Sequence, residues 1–469
     1  MTKVRATVSL VFFCLAIHAA FAGDPPNIRG IGMARTISGL ARGVGALGIN
    51  PANLGMPENH LITMNLLPFG LRVSSELISY DTYKEFFTGV PVPNGTTVPK
   101  HLTSEDKEKI LSIFPEGVAT SKAEFDLMPA GVSVYEPSVG GIGIATMEHV
   151  GTKLVLPKDY LRIFLYGLDS AGSTYTFDET ALSAWWWREF NLSYGLKIPV
   201  TLKNDIQLFA GIGLKYVSGY GVMETPHYNA TIANVRESQN QYRIKLLFDY
   251  LMRRSGIDEV GANKGQTSFS LFPQPAGTGF GVDLGFAVRL PGADLHISVT
   301  DIGSISWKKN IVETAGAYNL EFSDPFFKTN EDSIQNAIRG TNQPGSAFST
   351  SLPTRVRIGV VMGADTGRTP SWFPRDLVLA MDISQWFNES MGNSGALRFS
   401  LGAEYRLIPG LPLRTGISLG DDSRLRWAVG LGFDFRYFSI DLATENLGLL
   451  FSLKNFDMYS FAFGFQIRT

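Results

Sequence analysis

A recurring alternation of apolar and polar residues constrains this chain more than any other feature of its sequence. Ile206, Leu208, Ala210, Ile212, Leu214 and Tyr216 share one face of an extended segment, opposite Gln207, Gly211, Gly213 and Lys215. Leu397, Phe399, Leu401, Ala403, Tyr405 and Leu407 oppose Arg398, Ser400, Gly402, Glu404 and Arg406. Trp427, Val429, Leu431, Phe433 and Phe435 oppose Arg426, Gly430, Gly432, Asp434 and Arg436, and Tyr459 to Ile467 close the chain in the same way. Each run spans about ten residues, the length that crosses a bilayer as a tilted strand. No segment after the N-terminal leader is apolar for long enough to cross as a helix.

A two-sheet sandwich also alternates, so the polar faces must decide. They combine glycine and serine with full charges such as Arg398, Glu404 and Arg406. Glycine weakens an exposed strand, whereas the lining of a lumen accepts small residues and paired charges together. Composition agrees: 44% hydrophobic, 18% charged and 49 glycines, fewer charges than the roughly 25% of a soluble domain. Trp185 to Trp187, Trp307, Trp372, Trp386 and Trp427 fall near segment ends, where an aromatic girdle would sit. The expectation is an all-β fold, a transmembrane antiparallel β-barrel bathed in outer-membrane lipid.

Strand number follows from loop parity, because both ends of such a barrel face the same side. Short connections occur at 136–139, 199–204, 291–292 and 409–410, and long ones near 80–122, 151–183, 221–275 and 304–351. Putting the long loops outside requires 59–79 to be one strand, with Pro68 marking an irregularity rather than a hairpin. The segments are then 59–79, 123–135, 140–150, 184–198, 205–220, 276–290 and 293–303, followed by 352–363, 376–386, 396–408, 411–420, 425–435, 437–446 and 457–467. That makes about 14 strands, or 16 if 306–320 adds strand structure. The long extracellular loops carry short helices, one starting at Thr103 and another over 331–339. Apolar groups at Leu246, Leu247, Phe248, Tyr250, Leu251, Phe322, Phe326 and Phe327 either pack over the mouth or form a ligand-capturing lid.

Residues 1–22 read as a cleavable signal peptide: Lys3 and Arg5, an apolar run from Val8 to Ala16, then Ala20-Phe21-Ala22. Cys14, the one cysteine of the sequence, lies inside it, so the mature chain offers no disulfide and no thiol chemistry. The formal charge of −2 gives no support to a nucleic-acid partner. Residues 23–58 do not alternate and are dense in glycine and alanine, as suits a plug packed in the lumen, with the barrel occupying 59–469.

Within that plug, Arg29-Gly30 to Ala34-Arg35, Gly45-Ala46-Leu47-Gly48 and Asn50-Pro51-Ala52-Asn53-Leu54 resemble the N-terminus of the FadL-like family of outer-membrane proteins. Asn53 stands where that family has glycine, and Ala41-Arg42-Gly43-Val44 replaces the acidic residues that often precede the motif. The stretches SVTDIGSISWKKN and SLPTRVRIGV are similar to an uncharacterised group within the family. The family includes long-chain fatty acid transporters and PorV-like barrels that serve type IX secretion. The resemblance implies location in the cell outer membrane and a hatch inside the barrel, with Asn50, Pro51, Ala52, Asn53 and Leu54 at its ligand side. It implies a hydrophobic small-molecule ligand or, alternatively, secretion partner proteins. It also implies a lateral opening, for which Gly140, Gly141 and Gly143 are candidates; glycines there are equally a bulge signal.

Catalytic chemistry finds little footing. No zinc-protease or nucleophile-elbow motif is present, so no catalytic residue, metal or cofactor is expected. His296 and Ser298 share a strand face pointing into the lumen, where a satisfied polar contact is the simplest role. Asp421 and Asp422 fall in a hairpin turn. The charges assigned to the lumen, Arg398, Glu404, Arg406, Asp434 and Arg436 foremost, would form ion-pair ladders or an arginine track for an anionic head group.

Overall fold

The computed structural model describes residues 25–77, 80–91, 95, 97–114, 117–168, 173–238, 241–257, 273–322, 339–363, 371–388, 390–393, 395–420, 425–450 and 458–469. The leader, the helix expected over 331–338, Phe326, Phe327, Asp421, Asp422 and Arg424 lie outside the described residues.

Fourteen antiparallel strands close into a barrel. The first is split into β1 (Ile62–Leu66) and β2 (Phe69–Ser75). The next are β3 (Val118–Glu136), β4 (Gly140–Pro157), β5 (Ala181–Lys197) and β6 (Gln207–Ser238). After the extra strand β7 (Gln241–Ser255) come β8 (Gly277–Leu290) and β9 (Ala293–Trp307). A second extra strand, β10 (Ile311–Phe322), precedes β11 (Arg355–Gly363), β12 (Leu377–Trp386) and β13 (Arg398–Ile408). The chain ends with β14 (Leu411–Leu419), β15 (Arg426–Asp434), β16 (Phe438–Thr444) and β17 (Met458–Arg468). Closure is direct: β1 and β2 pair with β17 on one side and β3 on the other.

The alternation read from sequence is the barrel's outward face. Ile142, Ile144, Leu192, Leu214, Leu401 and Phe461 are exposed, while their neighbours point inward. Phe69 sits in an outward cluster with Phe125, Phe461 and Phe463 at centroid separations of 5.9–6.0 Å. So large an apolar belt is a surface made for hydrocarbon rather than for water. No described helix is long and apolar enough to cross a membrane. Leu67 takes a left-handed backbone (φ 52°) beside Pro68, and strand pairing resumes at Phe69 on both sides, so the proline is an irregularity within one strand.

Two expectations need correction. The regions 221–275 and 304–351 are not simply loops: β6 runs on to Ser238 and pairs with β7, which pairs in turn with β10 outside the barrel. Trp185, Trp187 and Trp307 are not girdle residues; they point inward and are nearly fully buried. Trp185 and Trp187 continue the inward row of Glu189, Asn191 and Ser193 along β5, and the extra residue of the register shift beside them, Tyr220, lies on β6. In β9 an extra residue beside Asp301 (φ 61°) inverts the phase, so Trp307 turns inward although Leu295 and Ile297 face out.

Above the barrel, α2 (Tyr80–Phe87), α3 (Ser104–Ile113) and α4 (Lys158–Tyr166) pack through Phe86, Ile110 and Leu165. They follow α1, the short hatch helix Ile28–Ile31. The start at Thr103 holds: its Oγ1 accepts from the Asp106 backbone N–H, and Asp106 accepts in return from the Thr103 N–H. That backbone bond keeps the Asp106 carboxyl below its ordinary range. Leu246, Phe248, Tyr250 and Phe322 are core residues of the outer sheet, packed with Tyr175 and Phe177, while Leu247 is exposed.

Candidate functional site: the hatch and the filled lumen

Residues 25–57 fill the inner half of the lumen, and almost all are buried. Their seat is built of glycine. Gly141, Gly195, Gly211 and Gly285 are register partners across β4, β5, β6 and β8, forming one row of inward positions without side chains. A Cβ at any of them would strike Pro51, Ala52, Leu54 or the Asn50 Oδ1 atom. Gly402, Gly416, Gly430 and Gly464 on the opposite wall receive Met33, Gly32 and Ile28 in the same manner. Lumen glycine is therefore packing space for a plug.

The Asn-Pro-Ala-Asn-Leu segment lies on the first of these floors. Asn50 caps the 3-10 helix Pro51–Gly55, its Oδ1 accepting from the Ala52 N–H at 3.1 Å. Asn53 donates to the carbonyls of Ser38 (2.8 Å) and Ala41 (2.9 Å). Its Oδ1 meets His296 Nδ1 at 2.9 Å, and the His296 ring lies against Gly39. His296 is thus a hatch contact. At the candidate lateral opening, β4 is paired on both sides from Gly141 onward, and Gly141 and Gly143 face Leu54 and Leu47 of the hatch. No gap opens there in this structure.

Charged groups lock the hatch to the wall. Arg29 holds Glu404 of β13 through two bonds of 2.8 and 2.9 Å, and Arg414 of β14 adds a third at 2.8 Å. Arg35 holds Glu445 through bonds of 2.6 and 2.8 Å. Asp382 Oδ2 accepts from the backbone N–H groups of Ile37 (2.7 Å) and Ser38 (2.8 Å) and from the Ser38 hydroxyl (2.7 Å). Paired charge-assisted bonds of this kind are the strong ones. With each hydrogen bond to a charge contributing about 1.5–3 kcal/mol, Asp382→Ala is expected to release the backbone of Ile37 and Ser38. Amide exchange there should accelerate at least tenfold while the strand amides stay protected.

Higher in the lumen the wall is sealed by a second charged layer. Lys215 Nζ lies 2.6 Å from Asp301, 3.2 Å from Asp283 and 3.3 Å from Glu189, and His149 Nδ1 meets Asp126 at 2.8 Å. Above that, Trp185, Trp187, Trp307, Val217, Val222, Ile305, Leu352 and Met391 form an apolar cluster with Phe348 packed against it. A cavity of about 240 Å³ adjoins this cluster at the outer mouth, lined by Trp185, Val222, Met223, Arg253, Thr350 and Met391 among others.

Of the lumen charges read from sequence, Arg398 and Glu404 are buried inside the barrel. Arg406 is partly exposed toward the inner rim, and Asp434 pairs with Arg468 there at 3.2 Å. Arg436 is not a lumen residue: it lies exposed beside β15, over the Tyr437 ring at 5.2 Å. Sequence reasoning missed that the decisive partners, Arg29 and Arg35, belong to the hatch. It also missed the Lys215 cluster. Among the described residues no group of three or more His, Asp or Glu side chains is arranged to hold a metal.

Comparison with known proteins adds a family. Residues 56–445 match the model of a family of unknown function, DUF5723. The chain belongs to this family. No curated protein matches it. Among solved structures, the chain is similar to the Ralstonia pickettii toluene transporter TbuX, at 11% identity over 94% of this chain and 99% of that one, with a TM-score of 0.45. A Pseudomonas aeruginosa FadL homologue follows at 12% identity, over 96% of this chain and 98% of that one, with a TM-score of 0.41. The Pseudomonas putida toluene transporter TodX matches at 10% identity, over 95% and 97%, with a TM-score of 0.41. Identities of this size assign no ligand.

Proposed function

We propose that this DUF5723 member is an exported outer-membrane barrel of FadL-like type that binds a hydrophobic small molecule in the outer half of its lumen and admits it past the hatch. The observation that carries this reading is the tryptophan cluster. Barrel interiors are ordinarily polar, yet here Trp185, Trp187 and Trp307 turn inward above the charged layer, and Trp185 of that cluster lines the cavity at the outer mouth. Trp185, Val222, Met223 and Met391 give that cavity an apolar side that suits an apolar ligand, facing Glu224, Thr225, Arg253 and Thr350. On this reading the segment Asn50–Leu54 is the hatch side of the route, and residues 1–22 are removed on export.

The full chain, reconstituted in lipid vesicles, tests it through tryptophan fluorescence titrated with toluene and with oleate. Saturable quenching by either probe, weakened about tenfold or more in Trp185→Ala, is the expected result; one buried aromatic contact removed costs that much or more. Absence of saturation with both probes would defeat the proposal.

A second reading has its own support. The described lumen residues leave no continuous apolar passage from mouth to hatch, because the Lys215 layer and the ion-paired hatch fill the section between. A PorV-like barrel whose outer sheet and helices dock partner proteins fits that blockage. Native mass spectrometry of the protein from its own membrane separates the two: a co-purifying hydrophobic molecule supports binding, and a stoichiometric protein partner supports docking.

A further inference from the structure

Below the hatch, on the side of the short turns, lies a cavity of about 180 Å³. Its described lining holds five arginines, Arg29, Arg42, Arg406, Arg414 and Arg468, and three carboxylates, Glu404, Asp434 and Asp441. It leads into a wider hollow of about 700 Å³ at the inner rim, and the two share Arg406, Asp434 and Arg468.

Glu404 stands at the centre of this arrangement. It accepts from Arg29 and Arg414 at 2.8 Å and lies 3.5 Å from Arg406, so three guanidinium groups converge on one carboxylate. Asp441 offsets part of the excess through Arg414. Asp294 is likewise approached by two guanidinium groups, Arg289 at 3.1 Å and Arg42 at 3.4 Å. The side chains of Arg29 and Arg406 are 21% and 38% exposed, so both border the water of the cavity rather than being sealed in the wall. A concave site with low-dielectric walls and an excess of one sign concentrates the opposite charge. Guanidinium forks match the planar oxygen pairs of carboxylate and the oxygens of phosphate.

We infer that this vestibule is a binding site for a small oxyanion, of carboxylate or phosphate type, entering from the inner rim, with Arg406 and Arg29 as its principal donors. The volume suits one such group and several waters, a water needing roughly 10–15 Å³. A folded segment of a partner protein does not fit it. The site stands apart from the hydrophobic ligand of the outer lumen, since hatch and charged layer lie between them.

The experiment is calorimetric titration of the full-length protein, in zwitterionic detergent at low salt, with acetate and separately with inorganic phosphate. Saturable one-to-one binding of at least one anion is expected, weaker at higher ionic strength. Arg406→Gln is expected to lower the affinity tenfold or more, Arg406→Lys by less, and Arg162→Gln on the outer helix α4 not at all. Arg406 is the most exposed of these arginines, so its replacement leaves the hatch pairs of Arg29 and Arg35 in place; tryptophan emission matching the wild type verifies that. Binding of neither anion up to ~10 mM, an affinity of about −2.7 kcal/mol, would overturn the inference. Equal binding by the wild type and Arg406→Gln would overturn it too.

Discussion

Alanine placed at both Gly195 and Gly211 is expected to drive the hatch from its seat while leaving the barrel closed. Each added methyl would meet Pro51 or its neighbours, which are backbone atoms with nowhere to retreat between two walls. Overpacking of this kind costs about 1–3 kcal/mol per site where the surroundings can yield, and here they can yield only by moving the hatch. The strands lose nothing comparable, because alanine is tolerated in a paired strand. Hydrogen exchange reports the result: amides of residues 43–56 should lose protection by two orders of magnitude or more, and those of β5 and β6 should keep theirs. Unchanged protection in the hatch would mean that the glycine row is not what holds it.

The second large effect is expected at Glu404. Removing one partner of a buried, hydrogen-bonded ion pair costs about 3–5 kcal/mol, because the remaining charge stays buried without compensation. Glu404→Ala strips Arg29 of its two-bond partner and Arg414 of one of its two carboxylates. Equilibrium unfolding in denaturant should show the loss, and Glu404→Gln should fall between the two. The control is the exposed pair Lys109–Glu85 on α3 and α2, 2.7 Å apart. Water and salt screen such a pair, and Glu85→Ala is expected to leave stability unchanged. A Glu404→Ala protein as stable as the wild type would show that the Arg29–Glu404 pair adds nothing net to the hatch's hold.

Much of the fold was legible because one physical demand runs through it. A strand that faces hydrocarbon on one side and a lumen on the other must alternate, so segments such as 396–408 and 411–420 announce themselves and coincide with β13 and β14. The extra strands β7 and β10 escaped that rule. Their buried face, Leu246, Phe248 and Tyr250, meets Tyr175 and Phe177 rather than lipid, while the other face carries Leu247 beside charges. The pattern there is that of a soluble sheet, so the β7 region reads as a loop and 306–320 only as the segment that would raise the barrel count to 16. The tryptophans were misplaced for different reasons: one extra residue at Asp301 inverts the phase of β9 with no local sequence signal to mark it, whereas Trp185 and Trp187 lie on the plain inward alternation of β5 with Glu189, Asn191 and Ser193.

At the site, composition pointed to lumen charges but not to their partners. Arg398, Glu404 and Arg406 stand out as polar positions on an alternating strand, whereas Arg29 and Arg35 lie in a segment without periodicity. Pairing across about 375 residues between Arg29 and Glu404 is visible only once the barrel is closed. The glycine rows were noticed as composition and explained only by the hatch that lies on them.

The central claim is that the apolar rows face lipid while their alternate neighbours enclose the plugged lumen. Spin labels on single cysteines test it most directly, since Cys14 of the leader is the sequence's one cysteine. Labels at Leu192, Leu214 and Leu401 of the full chain in vesicles are predicted to collide with dissolved oxygen and to ignore a water-soluble nickel chelate. Collision of those three labels with the chelate instead would contradict the account.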